Sequence, residues 1–267
     1  MINQDDFHYM WRGKPTRPLP ESEIELLKPV HSYGNKHRRA LLLLHGFSSS
    51  PAIYRAMIPA IKHYDALVCP ALPGHAENLA AFTSVNASEW VAAAENACEA
   101  LIHKYDTVDV VGLSLGGLLA YHLANKYTIN HLYLLAPAFK LTFNLTGATA
   151  LARILHTCGL KHITNRAGNL YTKKHDELTY RKLPVRTLIE LFQLIHQHKY
   201  TKIVCPIDLF LGRHDEVVHS ASIAKQFKSN PNCTIHWLEN SAHALPLDGD
   251  LEEIVTCIND HTSDLAG

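Results

Sequence analysis

The chain has no uninterrupted apolar run of membrane-spanning length, although hydrophobic residues fill 47% of its 267 positions, and no stable membrane insertion is expected of it. It has no net charge either: 25 Lys and Arg balance 25 Asp and Glu, so no overall field recruits nucleic acid or an anionic membrane. The expected partner is a neutral or only locally charged small molecule. A secretory leader is basic and then apolar, whereas Met1-Ile2-Asn3-Gln4-Asp5-Asp6 is acidic; a soluble, non-exported, cytoplasmic protein is expected. The six cysteines (Cys69, Cys98, Cys158, Cys205, Cys233, Cys257) form no CxxC and no tight cluster, which favours reduced thiols acting as small hydrophobes. Of 19 histidines, only His196 and His198 form a close pair, at an expected helix end and without the acid of a metalloprotease helix. No metal and no organic cofactor is expected.

What is present is an alternation. Ala40 to Leu44, Ala66 to Cys69, Val108 to Val111, His131 to Pro137, Ile207 to Leu211 and Thr234 to Leu238 are short, nearly continuous apolar runs that read as buried strands. Helical stretches lie between them: Ile53 to His63, Ser88 to Tyr105 with Asn86 as its N-cap, and Leu118 to Lys126. Ile24 to Leu27 reads as the start of an edge strand. This pattern gives an α/β fold with a mostly parallel sheet and helices on both faces, one domain over residues 1–267. From Ala138 to Tyr200 the alternation stops; no strand is evident there, while Thr149 to Cys158 and Val185 to His198 look helical.

Gly112-Leu113-Ser114-Leu115-Gly116 sits at a strand-to-helix junction, where two glycines permit a sharp turn that presents a serine hydroxyl free of its own strand. A serine needs a base, and the base an orienting acid, in the chain order Ser, Asp or Glu, His. Asp215 follows the strand ending at Leu211, and His243 follows the strand ending at Leu238. Both lie on loops at carboxyl ends of strands, the edge where open parallel sheets bind ligands. The loop His45-Gly46-Phe47-Ser48 follows another strand, and the backbone N–H groups of Phe47 and Leu115 are the candidate oxyanion-hole donors. The alternatives are a helix N-cap for Ser114, a helix cap or Arg213 partner for Asp215, Asp208 as the acid, and His236 as the base. Asp208 and His236 both fall inside strands. His45 and His75 read as loop supports, and His214 as a surface or pocket-rim residue.

These segments resemble the α/β-hydrolase superfamily and, within it, the bacterial carboxylesterase and monoacylglycerol lipase group. The likeness rests on His45-Gly46-Phe47-Ser48-Ser49-Ser50-Pro51, Gly112 to Gly117, Gly212-Arg213-His214-Asp215-Glu216-Val217-Val218 and Ser241-Ala242-His243. Pro73-Gly74-His75-Ala76 departs from many relatives, which carry a second glycine there. The resemblance implies an α/β-hydrolase fold with residues 138–200 as a helical cap, or lid. Leu141, Phe143, Leu145, Leu151, Ile154, Leu188, Leu191 and Phe192 would either line an acyl pocket or anchor that cap. It implies a serine carboxylic-ester hydrolase acting through an acyl-serine on short- to medium-chain esters or monoacylglycerols. A thioesterase or acyltransferase with the same triad, and a non-catalytic binding protein on the same fold, are the competing expectations.

Overall fold

The structure, a computed structural model, describes residues 1–263; the last four residues of the expected 1–267 domain lie outside the described residues. The chain opens with a hairpin of β1 (Phe7–Trp11) and β2 (Lys14–Pro18). Then come β3 (Val30–Tyr33), β4 (Arg39–Leu44), β5 (Ala66–Cys69), α1 (Leu79–Ser84), α2 (Ala87–Ile102), β6 (Thr107–Leu113), α3 (Leu115–Lys126) and β7 (His131–Leu135). The irregular middle holds α4 (Leu145–Thr157), β8 (His162–Thr164), β9 (Glu177–Tyr180), β10 (Lys182–Pro184) and α5 (Val185–Gln197). Finally, β11 (Ile207–Gly212), α6 (Ser220–Phe227), β12 (Cys233–Leu238) and α7 (Leu251–Ser263) return to the alternation.

Seven strands form the main sheet in the order β12-β11-β7-β6-β4-β5-β3. All neighbours run parallel except β3, which is antiparallel to β5 at the edge. Ala40 to Leu44 are all fully buried, which is why β4 shows no polar alternation: both of its faces are covered. β5 and β6 flank β4 on opposite sides. The loops after β4 and β6 therefore leave the sheet side by side at a topological switch point, where such sheets open a crevice. α2 begins at the expected cap: Asn86 Oδ1 accepts the Glu89 N–H at 3.1 Å and Glu89 Oε2 accepts the Asn86 N–H at 2.8 Å, satisfying two orphan donors reciprocally. Among the described residues no helix is long and apolar enough to cross a membrane.

Three expectations change. Residues 53–63 do not form a helix; two 3-10 turns, Pro51–Tyr54 and Ile58–Ala60, take their place, because Pro59 removes an amide donor and clashes with a continuing helix. Ile24 to Leu27 belong to the 3-10 segment Glu21–Leu27 rather than to a strand. Three residues per turn set Ile24 and Leu27 on one side, where Leu27 is fully buried and Ile24 packs against the core. The middle segment contains the two expected helices and also three short strands. β9 joins the N-terminal hairpin in a second sheet, β2-β1-β9, and β8 pairs with β10.

The apolar face of the middle segment is divided. Leu141, Leu191 and Phe192 are buried, whereas Phe143, Leu151 and Ile154 are exposed, Leu151 and Ile154 by 56% and 59%. α4 fully buries only Thr149 and Ala152; its Leu145 packs half-buried against the core, while Leu151 and Ile154 face outward.

Candidate active site

Ser114 stands between β6 and α3 with φ 54° and ψ −112°. A non-glycine residue held there costs about 1–3 kcal/mol and persists only where its surroundings enforce it. The neighbouring glycines supply that enforcement. A Cβ on Gly116 would lie 1.9 Å from the Leu44 carbonyl oxygen, and one on Gly112 would lie 2.2 Å from the Gly116 carbonyl oxygen, so the elbow presses against the end of β4. The Ser114 carbonyl accepts the N–H groups of Gly117, Leu118 and Ala138 at 2.9, 3.2 and 3.1 Å. Its side chain caps nothing, which removes the helix N-cap alternative.

Asp215 is fully buried at its carboxylate. Oδ1 accepts the N–H groups of Val217 and Val218 at 2.8 and 2.9 Å, and Oδ2 lies 2.8 Å from His243 Nδ1. This hydrogen bond makes Nδ1 the protonated nitrogen and leaves Nε2 as the acceptor. Burial pushes the His243 imidazole toward the neutral form, but the charge and hydrogen bond of Asp215, aided by Glu177, outweigh it and raise its pKa. Arg213 turns away from Asp215: its Nε pairs with Glu239 Oε1 at 2.8 Å and its guanidinium lies over Trp237. The cap of α6 is His219, not Asp215.

On the loop after β4, His45 Nε2 accepts the Leu72 N–H at 3.0 Å, so Nδ1 carries the proton and donates to the Gly46 carbonyl at 2.9 Å. Burial lowers the His45 pKa to about 4, keeping the ring neutral and this tautomer in place. The Gly46 C=O and the Phe47 N–H belong to one planar trans peptide and point in opposite directions. Pinning the carbonyl therefore aims the Phe47 N–H. His75 packs beside it, 5.1 Å from His45 and 6.0 Å from Phe47 between ring centroids, and burial holds its pKa well below the usual value. Leu115 is the first residue of α3, where an N–H has no intrahelical acceptor. His214 is exposed and stacks on Tyr171 at 3.8 Å, a surface position.

Asp208 and His236 lie elsewhere. Asp208 Oδ2 is 2.6 Å from His131 Nε2, Oδ1 is 2.6 Å from His236 Nε2, and His261 Nδ1 of α7 is 3.6 Å away. Burial works against the charge, but the two imidazole hydrogen bonds prevail and depress the Asp208 pKa. Two triplets here, His131-Asp208-His261 and Asp208-His236-Cys257, bring ligating atoms within 4.8 Å of one another. Tetrahedral zinc spaces its N and O ligands about 3.3 Å apart, and the 2.6 Å separations are too tight for that. The donors instead satisfy each other and join α7 to the sheet. Asp208 and His236 lie inside strands, as their apolar neighbours indicate, but nothing in the local sequence marks this network.

The middle segment reaches the same edge as the elbow. Thr179 Oγ1 and the Tyr180 N–H donate to the Ser48 carbonyl at 2.7 and 3.3 Å, and Asn165 Nδ2 donates to Ser48 Oγ at 3.3 Å. Asp248, also unmarked in the sequence, accepts the Ala242 N–H beside His243 and the Tyr171 N–H of the insertion through one oxygen, at 2.9 and 2.7 Å.

The alpha/beta hydrolase family profile matches residues 41–256. The thermostable monoacylglycerol lipase of Bacillus sp. (strain H-257) is 30% identical over 224 residues, which span 80% of this chain and 86% of that protein. Two solved structures share the fold: one of LipS and LipT, two metagenome-derived lipolytic enzymes, with TM-score 0.78, 22% identity and coverage of 89% of this chain and 98% of that one; and the monoacylglycerol lipase of Paleococcus ferrophilus, with TM-score 0.70, 18% identity and the same two coverages.

Proposed function

The chain belongs to the α/β-hydrolase family, and from that premise we propose that it is a serine carboxylic-ester hydrolase with Ser114, His243 and Asp215 as its triad. The observation that carries the reading is the division of labour on Asp215, whose one oxygen fixes its own loop while the other orients His243, on the same sheet edge as a strained serine whose side chain caps nothing.

In the proposed reaction His243 Nε2 takes the Ser114 Oγ proton as the oxygen attacks the ester carbonyl. The charge that develops on the carbonyl oxygen is held by the N–H groups of Phe47 and Leu115; loss of one such donor typically costs about 100- to 1000-fold in rate. The tetrahedral intermediate collapses, breaking the ester C–O bond, and the imidazolium protonates the departing alcohol. Water, deprotonated by the same imidazole, then attacks the acyl-serine and releases the acid.

Residues 138–200 serve as the cap in this reading, a role supported by their hydrogen bonds to Ser48 and by the burial of Leu141, Leu191 and Phe192. The similarity to the Bacillus monoacylglycerol lipase favours monoacylglycerols and short- to medium-chain acyl esters as substrates. The test is reaction with a fluorophosphonate, together with hydrolysis of aryl esters of increasing acyl length, monoacylglycerols and acyl thioesters. Labelling of wild type but not of Ser114→Ala, with esters turned over faster than thioesters, is the expected result. A wild-type chain that is folded yet neither labelled nor hydrolytic would overturn the reading.

A further inference from the structure

We propose that Asn169, a residue of the insertion, is a positioning residue that holds the His243 loop and the Asp215 loop in register; the proposal rests on the catalytic reading above. Its side-chain Oδ1 accepts two backbone N–H groups, from Glu216 at 3.1 Å and from His243 at 3.1 Å. Its carbonyl also accepts the N–H groups of His243 and Ala244, at 3.0 and 3.1 Å. One residue therefore ties the peptide just beyond the acid to the peptide of the base itself.

The two loops come from different strands, β11 and β12; apart from the Asp215–His243 pair itself, their direct links lie farther back, from Arg213 N–H to the Leu238 carbonyl, His214 N–H to the Ser241 carbonyl, and the Arg213 and His214 side chains to Glu239. Among the described residues Asn169 is the one further residue that hydrogen-bonds to both Glu216, next to the acid, and His243. Both groups that face its amide are donors, so the oxygen must face them and the amide orientation follows from chemistry.

A positioning residue must itself be fixed, and Asn169 is. The preceding Gly168 has φ +80°, its N–H donates to Glu177 Oε2 at 2.7 Å, and its carbonyl accepts the Arg12 N–H at 2.6 Å. A Cβ on Gly168 would lie 2.5 Å from the Met10 carbonyl oxygen. On the other side, Asp248 accepts the N–H groups of Tyr171 and Thr172 at 2.7 and 2.8 Å. Asn169 is thus clamped between the N-terminal hairpin and the turn that follows His243.

A misplacement of 1 Å in a catalytic group costs about 100-fold in rate, and a shared acceptor for both loops limits such drift. Asn169→Ala removes the side-chain oxygen and leaves the backbone links. It should lower kcat for a short-chain aryl ester by about 10- to 100-fold with KM little changed. Asn169→Asp keeps an acceptor of the same length, so most of kcat should return. The charged groups acting on His243 are Asp215 and Glu177, with Arg55 beyond Glu177; an added carboxylate stabilises the imidazolium, and the acid limb of kcat/KM should move to higher pH. That shift reports only that the new carboxylate lies near the imidazole; a purely structural role would lower the melting temperature while leaving kcat per labelled site unchanged.

The experiment measures kcat per fluorophosphonate-titrated site, KM and the pH profile for wild type and both variants. If wild type is not labelled, the catalytic reading fails. If wild type is labelled and Asn169→Ala turns over within twofold of it per labelled site, the catalytic reading stands and the role of Asn169 is overturned. Should Asn169→Ala not fold, Asn169→Leu, similar in size but without the acceptor, decides in its place: kcat per labelled site lowered by about 10-fold or more supports the proposal, and kcat within twofold of wild type overturns it.

Discussion

Asp215 and His243 meet through Oδ2 and Nδ1 at 2.8 Å, while Asp215 Oδ1 is occupied by two backbone amides of its own loop. The carboxylate is therefore held from behind before it holds the imidazole. Asp215→Asn puts an amide where the imidazole needs an acceptor, and turnover should fall by roughly 10⁴-fold, the effect of a triad whose histidine takes the wrong tautomer. Steady-state kinetics on a short-chain aryl ester checks this, with circular dichroism to verify the fold.

Ser114→Ala removes the proposed nucleophile and very little volume. Turnover should drop by about 10⁶-fold with an unchanged melting temperature, and fluorophosphonate labelling should vanish. Activity within tenfold of wild type would reject the nucleophile.

Asp208→Asn should do the reverse of Asp215→Asn. Its depressed pKa means that Asp208 contributes stability above its unfolded value of 3.8, and that this contribution disappears as the pH falls through the folded value. At neutral pH the substitution weakens charge-assisted hydrogen bonds to His131 and His236, each worth about 1.5–3 kcal/mol. Thermal melting should show the loss, while kcat of the folded enzyme stays within a few-fold of wild type.

The pH dependence follows from His243. Only the neutral imidazole accepts the serine proton, so kcat/KM rises as pH climbs through its pKa. That pKa is raised in the fold, and the half-maximal point of the acid limb should lie above the ordinary imidazole value of 6.5. Glu177 contributes to the raising, so Glu177→Gln should move the limb to lower pH. A limb that stays in place on this substitution would show that Asp215 alone sets it.

Gly116→Ala adds one methyl group, and its Cβ would fall 1.9 Å from the Leu44 oxygen and 2.5 Å from the Leu44 carbonyl carbon. Neither is the mobile end of a side chain, so the elbow and β4 must separate, at a cost above about 4 kcal/mol. Loss of soluble folded protein is the expected outcome; a variant that melts like wild type would show that the elbow has more room than it displays.

The parts of this site that are legible in the sequence are those in which a loop follows its own strand within a few residues. Ser114, Asp215, His243, Phe47 and Leu115 can each be located from an adjacent apolar run, because parallel strands deliver their carboxyl ends to one edge. The N-terminal hairpin is hidden because β2, Lys14-Pro15-Thr16-Arg17-Pro18, is exposed throughout and carries two prolines, and edge position alone permits that composition. β9 is hidden for another reason. Glu177 to Tyr180 become a strand by pairing with Phe7 to Met10, and nothing in a local window of sequence announces a partner so distant. Asn169 had no signal at all: its role lies in which two loops it meets, not in its neighbours along the chain.

The hairpin has a kinetic consequence. The Trp11 indole N–H donates to the Thr172 carbonyl across 161 positions of sequence, and Arg12 Nε donates to the Leu170 carbonyl across 158. Contacts of such separation carry a loop-closure entropy that must be met before they stabilise anything, and they tend to form late in folding. The segment that braces the His243 loop should therefore be completed after most of the sheet is in place. During refolding, helix and strand content should return first and competence for acyl transfer last, and the interval between them is set by how quickly the two distant parts of the chain find each other.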